Sequence, residues 1–190
     1  MDLDQIILAS GSPRRIEMIK KYGIMPEIII PEVDETLPYE MDMEAAVMFL
    51  ALKKALSIER QCQEGKLIIA ADTIVFFDQV IGKPVDKDDA IRILKDLRGK
   101  VHFVATGVAL LKAGMPVRSV FCEITKVYFK NYTDEEIRSY ADTEEPYDKA
   151  GGYAIQGAFG KYVDHIEGDY ENVIGFPWNR IKSEIQKLEG

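Results

Sequence analysis

Apolar residues along the chain recur with two spacings, and each spacing predicts a different element. Ile7-Leu8-Ala9 reads as a strand, Ser10-Gly11-Ser12 as a small-residue turn, and Pro13 to about Tyr22 as a helix. Ser12 suits the N-cap, Pro13 the first helical position and Gly23 the C-terminal stop. Met25 to Val33 is apolar and β-branched but broken by Pro26 and Pro31, which predicts an exposed or edge strand ending in Pro31. A helix follows from about Asp42 to Arg60, with Val47, Leu50, Ala51, Ala55 and Ile58 as its apolar stripe. Lys54 falls on or beside that stripe, so it either snorkels to water or reaches a phosphate. Leu67 to Ala71 is a continuous apolar run, the mark of a strand buried on both faces. Asp72 and Thr73 interrupt it before Ile74 to Phe77 resume.

Beyond the turn at Asp78-Gln79, Val80-Ile81 leads to Gly82-Lys83-Pro84, a short stiff loop that carries Lys83. Asp86 to Arg98 is an amphipathic helix with Ala90, Ile91, Leu94 and Leu97 on its apolar face, ended by Gly99. Val101 to Leu111 and Val117 to Phe129 flank a turn and predict an antiparallel hairpin. His102, inside the first of these strands, reads as a structural hydrogen-bonder. Thr133-Asp134-Glu135-Glu136 is a capping box that opens a helix through about Ala141. Tyr162-Val163, Ile166 and Tyr170 predict a further hairpin turning at Glu167-Gly168-Asp169. Gly175-Phe176-Pro177 opens a last helix to about Leu188.

Composition narrows the function classes. The chain's 190 residues suit one domain, or one body with two lobes. No apolar run of about 18 residues predicts a membrane helix. The acidic segment Met1-Asp2-Leu3-Asp4-Gln5 resembles neither a signal nor a transit peptide. Cys62 and Cys122 stand in no metal spacing and predict reduced thiols in a cytoplasmic protein. A formal charge of −8 argues against a surface for DNA or RNA polymers. With His102 and His165 as the only histidines, a catalytic metal is expected to be held by oxygen, as Mg²⁺ or Mn²⁺ is.

Two sets of residues carry the candidate chemistry. Arg14 and Arg15 lie in the first turn of a helix, where the dipole disfavours cations by about 0.3–1 kcal/mol each. A bound phosphate reverses that sign, although two solvated arginines explain the residues equally well. Lys54, Lys83 and Lys149 extend the cationic set. Glu35, within Glu32-Val33-Asp34-Glu35, and Asp72 form the acidic set. A carboxylate inside an apolar strand is costly unless paired or metal-bound. Cations with a metal-holding or water-activating carboxylate are what phosphoryl chemistry needs. There is no G-x-x-x-x-G-K-[ST] loop, no G-x-G-x-x-G after a strand and no G-x-S-x-G elbow.

Leu8-Ala9-Ser10-Gly11-Ser12-Pro13-Arg14-Arg15, Ala71-Asp72-Thr73-Ile74-Val75, Gly82-Lys83-Pro84, Asp148-Lys149-Ala150-Gly151, Ile155-Gln156-Gly157, Gly168-Asp169-Tyr170 with Asn172-Val173, and Gly175-Phe176-Pro177 stand in order along the chain. Together they resemble the Maf family of nucleoside triphosphate pyrophosphatases, first associated with septum formation. The resemblance implies a single α/β domain of the Maf/ITPase-like kind. It would have a twisted mixed β-sheet with flanking helices, and two lobes around a central cleft. It further implies hydrolysis of a nucleoside triphosphate to monophosphate and pyrophosphate with Mg²⁺ or Mn²⁺, a cytoplasmic house-cleaning role linked to arrest of division, and a homodimer.

By the same resemblance Asp72 matches the general base, and Ser10, Arg14, Arg15, Lys54 and Lys83 match positions that meet the phosphates. Glu35 matches an acidic position near the metal, shared with Asp72. Arg14, Thr73 and Gln156 match the positions that separate subfamilies, and resemble the dTTP/UTP branch. Gln156 offers both a donor and an acceptor to a pyrimidine edge. Gly151-Gly152-Tyr153-Ala154 stands where the family more often has Ala-Gly-Ala-Tyr-Gly, and Phe176 replaces a usual Leu. Two further readings stay open: a non-catalytic nucleotide-binding regulator of cell division, and a pyrophosphatase for modified purine nucleotides.

Overall fold

The computed structural model describes residues 6–189. The acidic segment Met1 to Gln5 lies outside the described residues. Among the described residues seven strands share one sheet in the order β2-β1-β3-β5-β6-β7, with β4 paired to β3. The strands are β1 (Ile6–Ala9), β2 (Glu27–Ile28), β3 (Leu67–Phe77), β4 (Gln79–Ile81), β5 (Val101–Lys112), β6 (Arg118–Phe129) and β7 (Val163–Glu167). The α-helices are α1 (Pro13–Lys21), α2 (Met43–Glu59), α3 (Lys87–Leu97), α4 (Asp134–Ala141), α5 (Tyr170–Ile174) and α6 (Trp178–Glu189). The sheet is mixed. β1 runs parallel to β2 and β3, while β3–β4 and β6–β7 are antiparallel. Bonds from Lys112 to Val117 at one end and from Phe129 to Lys100 at the other make β5–β6 the expected hairpin. No helix among the described residues is long and apolar enough to cross a membrane.

The chain divides into two compact units. Among the described residues, the first holds those up to Asp72, Thr106–Glu123 and those from Gly175. Its core joins Ile7 and Ala9 of β1 and Ile68 and Ala70 of β3 to Ala51, Ala55 and Ile58 of α2. Gly107 of β5 lets α2 lie against the sheet: a Cβ there would sit 2.2 Å from the Val47 carbonyl oxygen. The second unit holds Thr73–Ala105 and Ile124–Ile174. Its core packs Ile93, Leu94 and Leu97 of α3 with Phe129, Tyr132, Tyr140, Tyr153 and Phe159. His102, fully buried, bonds the Tyr153 hydroxyl at 2.7 Å, so it is structural as expected. Burial lowers its pKa to about 3.

Local signals placed most ends. Asp42 and Asp86 cap α2 and α3 through Ala45 N–H and Asp89 N–H. Thr133 and Glu136 form the predicted capping box of α4. Gly23 follows α1 at φ +76°, a left-handed conformation that glycine adopts without strain. Four expectations are corrected. The edge strand expected to end at Pro31 shrinks to Glu27–Ile28, because the flanking prolines leave few donors. Ser12 is the N-cap of α1 by conformation but makes no side-chain cap bond; its N–H goes instead to Ser10 Oγ at 3.1 Å. Ile93, not Ile91, completes the buried face of α3, being three residues from Ala90 and four from Leu97. The second strand expected near Tyr170 is the helix α5. There Asp169 bonds Thr125 Oγ1 through both its N–H and its carbonyl, and its carboxylate accepts from Glu171 N–H, which turns the chain into a helix.

Candidate active site

β1 and β3 lie side by side and parallel, with Ala9 in register with Ala70. α1 returns the chain to β2 on one side of β1, and α2 returns it to β3 on the other. Such a switch point opens a crevice at the carboxyl ends of the strands. Ser10 is the first residue beyond β1, and Asp72 lies two residues beyond Ala70 on β3. The strand order therefore puts both at the carboxyl ends of these parallel strands, a signal that needs topology and was invisible in the sequence.

Asp72 is 7% exposed and Lys54 8%. Lys54 Nζ donates to Asp72 Oδ1 at 2.5 Å and contacts Glu35 Oε1 at 2.8 Å. The snorkelling reading of Lys54 is overturned, because its ammonium ends between two carboxylates and not in water. Alternation along β3 puts Asp72 on the face of Ile68 and Ala70, the face that packs on α2. Thr73 shares the opposite face with Ile69 and Ala71.

Arg15 is locked in place. Its Nε donates to the Gly175 carbonyl at 3.0 Å and its Nη1 reaches Ser10 Oγ at 3.5 Å. Burial pulls its pKa below the ordinary value, the charges of Asp72 and Glu35 oppose that shift, and Arg14 adds to it. A guanidinium remains charged throughout. The first turn of α1 contains no acidic residue. Ser10, Arg14, Arg15, Glu35, Lys54 and Asp72 are thus gathered in the first unit.

Thr73, Lys83 and Gln156 belong to the second unit. Lys83 is exposed on the loop after β4. That loop is braced by the glycine-rich segment: Gly151 N–H bonds the Gly82 carbonyl at 3.0 Å, and Gly152, at φ +68°, lies against Pro84. Lys149 donates to the Glu145 carbonyl at 2.6 Å and pairs with Asp148. Gln156 is exposed in the turn before Gly157. Sequence reasoning passed over Glu145, which reads as one more acid in a solvated run. Its carboxylate accepts the Ala158 N–H at 3.1 and 3.2 Å.

Glu35 and Asp72 supply hard oxygen donors, already arranged around one cation, which suits Mg²⁺ or Mn²⁺. Among the described residues no cluster of three or more His, Cys, Asp or Glu forms a metal cage. An ion held by these two carboxylates would complete its shell with water and ligand oxygens.

These features define an α/β protein in which one edge of the sheet joins a helix N-terminus to a buried carboxylate–lysine pair. The chain belongs to the Maf family: the Maf-like protein model matches residues 5–188. The dTTP/UTP pyrophosphatase of Caldicellulosiruptor bescii is 44% identical over 190 residues, covering 98% of this chain and 96% of the relative. Those of Acetivibrio thermocellus and Carboxydothermus hydrogenoformans are each 45% identical, covering 93% and 96% of this chain and 92% and 98% of theirs. Among solved structures, the Staphylococcus aureus Ham1 protein aligns at a TM-score of 0.53 and 13% identity, covering 96% of this chain and 98% of that one. That likeness establishes the shared fold.

Proposed function

We propose that this chain hydrolyses dTTP and UTP to the monophosphate and pyrophosphate. The observation that carries this reading is the Asp72–Lys54–Glu35 cluster at the carboxyl ends of β1 and β3, beside Ser10 and Arg15. The named activity of the Maf relatives supplies the substrate class. The triphosphate is held by the N-terminus of α1 and by Arg14 and Arg15, where helix amides and guanidinium forks match phosphate oxygens. Ser10 and Gly175 fix the Arg15 fork before substrate arrives, so little is lost in ordering it. Lys83 adds a further cation for the phosphates.

Asp72 takes a proton from water as the water oxygen attacks the α-phosphorus. The α–β bridging P–O bond breaks, and its electron pair leaves with pyrophosphate. Lys54 balances the charge of Asp72 and holds its carboxylate in one rotamer. Glu35 and Asp72 would hold the divalent ion, which when bound offsets phosphate charge. Gln156 and Thr73 select the base.

Incubation with a panel of nucleoside triphosphates and Mg²⁺, followed by product analysis, tests the reading. dTTP and UTP are expected to lead the panel and to give pyrophosphate. Asp72→Asn should lower turnover about 10²–10⁴-fold while its circular dichroism stays that of the parent. Release of orthophosphate alone, or an active Asp72→Asn, overturns the assignment.

A further inference from the structure

We propose that Glu145, with Tyr140 bonded to it, is a positioning residue for base selection, because its carboxylate clamps one end of the turn that carries Gln156. The inference rests on the reading that Gln156 meets the base. The turn runs from Ala154 to Ala158 and closes on itself through Gly157 N–H to the Ala154 carbonyl at 3.0 Å. At its far end the Glu145 carboxylate accepts the Ala158 N–H through both oxygens. The Tyr140 hydroxyl donates to Glu145 Oε1 at 3.1 Å and steadies that carboxylate.

The sequence leaves room for this network and no more. A Cβ at Gly157 would lie 1.7 Å from Glu145 Oε1, and one at Gly160 would lie 2.1 Å from the Ile155 carbonyl oxygen. Glu145 is itself fixed, its carbonyl taken by Lys149 Nζ at 2.6 Å and its N–H by Thr143 Oγ1 at 3.3 Å. Gln156, two residues from Ala158, is therefore presented on a turn closed by its own backbone bond and held at one end by Glu145. A carboxylate bound to a backbone N–H is a charge-assisted contact, stronger than a neutral one. Discrimination by hydrogen bonding needs the donor and acceptor already in place, since only then does a wrong base leave polar groups unpaired.

The test compares kcat/KM for dTTP, for dGTP and for ribose 5-triphosphate, which has no base. Glu145→Ala should shrink the dTTP-to-dGTP ratio by about tenfold or more, through KM, and leave the base-free substrate within about twofold of the parent. Glu145→Gln keeps an acceptor for Ala158 and should restore most of the ratio. Gly160→Ala, which displaces the turn through a backbone clash, should shrink it as Glu145→Ala does. Calorimetric binding of dTTP and dGTP, run in parallel, yields the same ratio even for a chain that binds without turnover. Failure of hydrolysis and failure of the clamp are thereby separated. An unchanged ratio in folded Glu145→Ala and Gly160→Ala, or an equal loss on the base-free substrate, overturns the proposal.

Discussion

Replacing Lys54 with Met removes the cation that Asp72 and Glu35 share, while keeping most of the side-chain volume against α2's neighbours. Asp72 then stays in the sheet, 7% exposed, with its 2.5 Å partner gone. Breaking a buried pair from one side costs about 3–5 kcal/mol, because a buried charge loses the partner it is bonded to. Glu35 differs, since its side chain is 59% exposed and water replaces the lysine, so Glu35→Gln should cost under about 1 kcal/mol. Asp72→Asn lies between, at roughly 1–3 kcal/mol, because Lys54 keeps Glu35 and the amide oxygen can still accept. The order Lys54→Met, then Asp72→Asn, then Glu35→Gln is read from urea midpoints at pH 7 with m unchanged. The double variant Lys54→Met/Asp72→Leu should recover much of the loss, as apolar replacements of buried pairs do. A Lys54→Met protein within about 0.5 kcal/mol of the parent, or a Glu35→Gln protein more damaged than it, would refute the pairing as the source of the cost.

Gly107→Ala should cost about 1–3 kcal/mol in the same unfolding assay, because its Cβ meets backbone of α2 and not a side chain that can move aside. It should also lower activity, since α2 carries Lys54; a neutral effect on both would show that α2 can shift. His102 is held neutral with a pKa of about 3, against 6.5 in an open chain. Between those values the unfolded chain binds one more proton, so stability falls as pH drops below about 6.5, by up to about 1.4 kcal/mol per unit. His102→Gln should remove that slope between pH 6.5 and 5, checked by urea titrations at several pH values; an unaltered slope would place it elsewhere. Arg14 variants should reorder substrates, whereas Arg15 variants should weaken all alike, because Arg15 is tied to Gly175 and Ser10. Parallel losses in kcat/KM across the panel for both would end that division.

Elements marked by local chemistry were legible in the sequence. The Thr133–Glu136 box, the helix starts at Asp42 and Asp86 and the Gly23 stop each depend on a few neighbouring residues, so neighbours alone suffice to read them. What was misread depends on partners far along the chain. Tyr170 joins a helix because Asp169 is held by Thr125, 44 residues away. Lys54 looks like a snorkelling residue until β3 brings Asp72 to it. The residues of the first unit's site were all nameable from motifs and from likeness to the Maf family. Their convergence on one switch point was not, since strand order is no property of any local window. Glu145 carried no signal at all, because a carboxylate's worth lies in the N–H it meets.

Hydrolysis of dTTP in ¹⁸O-labelled water, with both products analysed by mass spectrometry, follows the new P–O bond itself. Attack at the α-phosphorus puts the label in dTMP and leaves pyrophosphate unlabelled. Label in pyrophosphate or in orthophosphate would mean that water attacks another phosphorus, and that Asp72 does not serve the chemistry assigned to it.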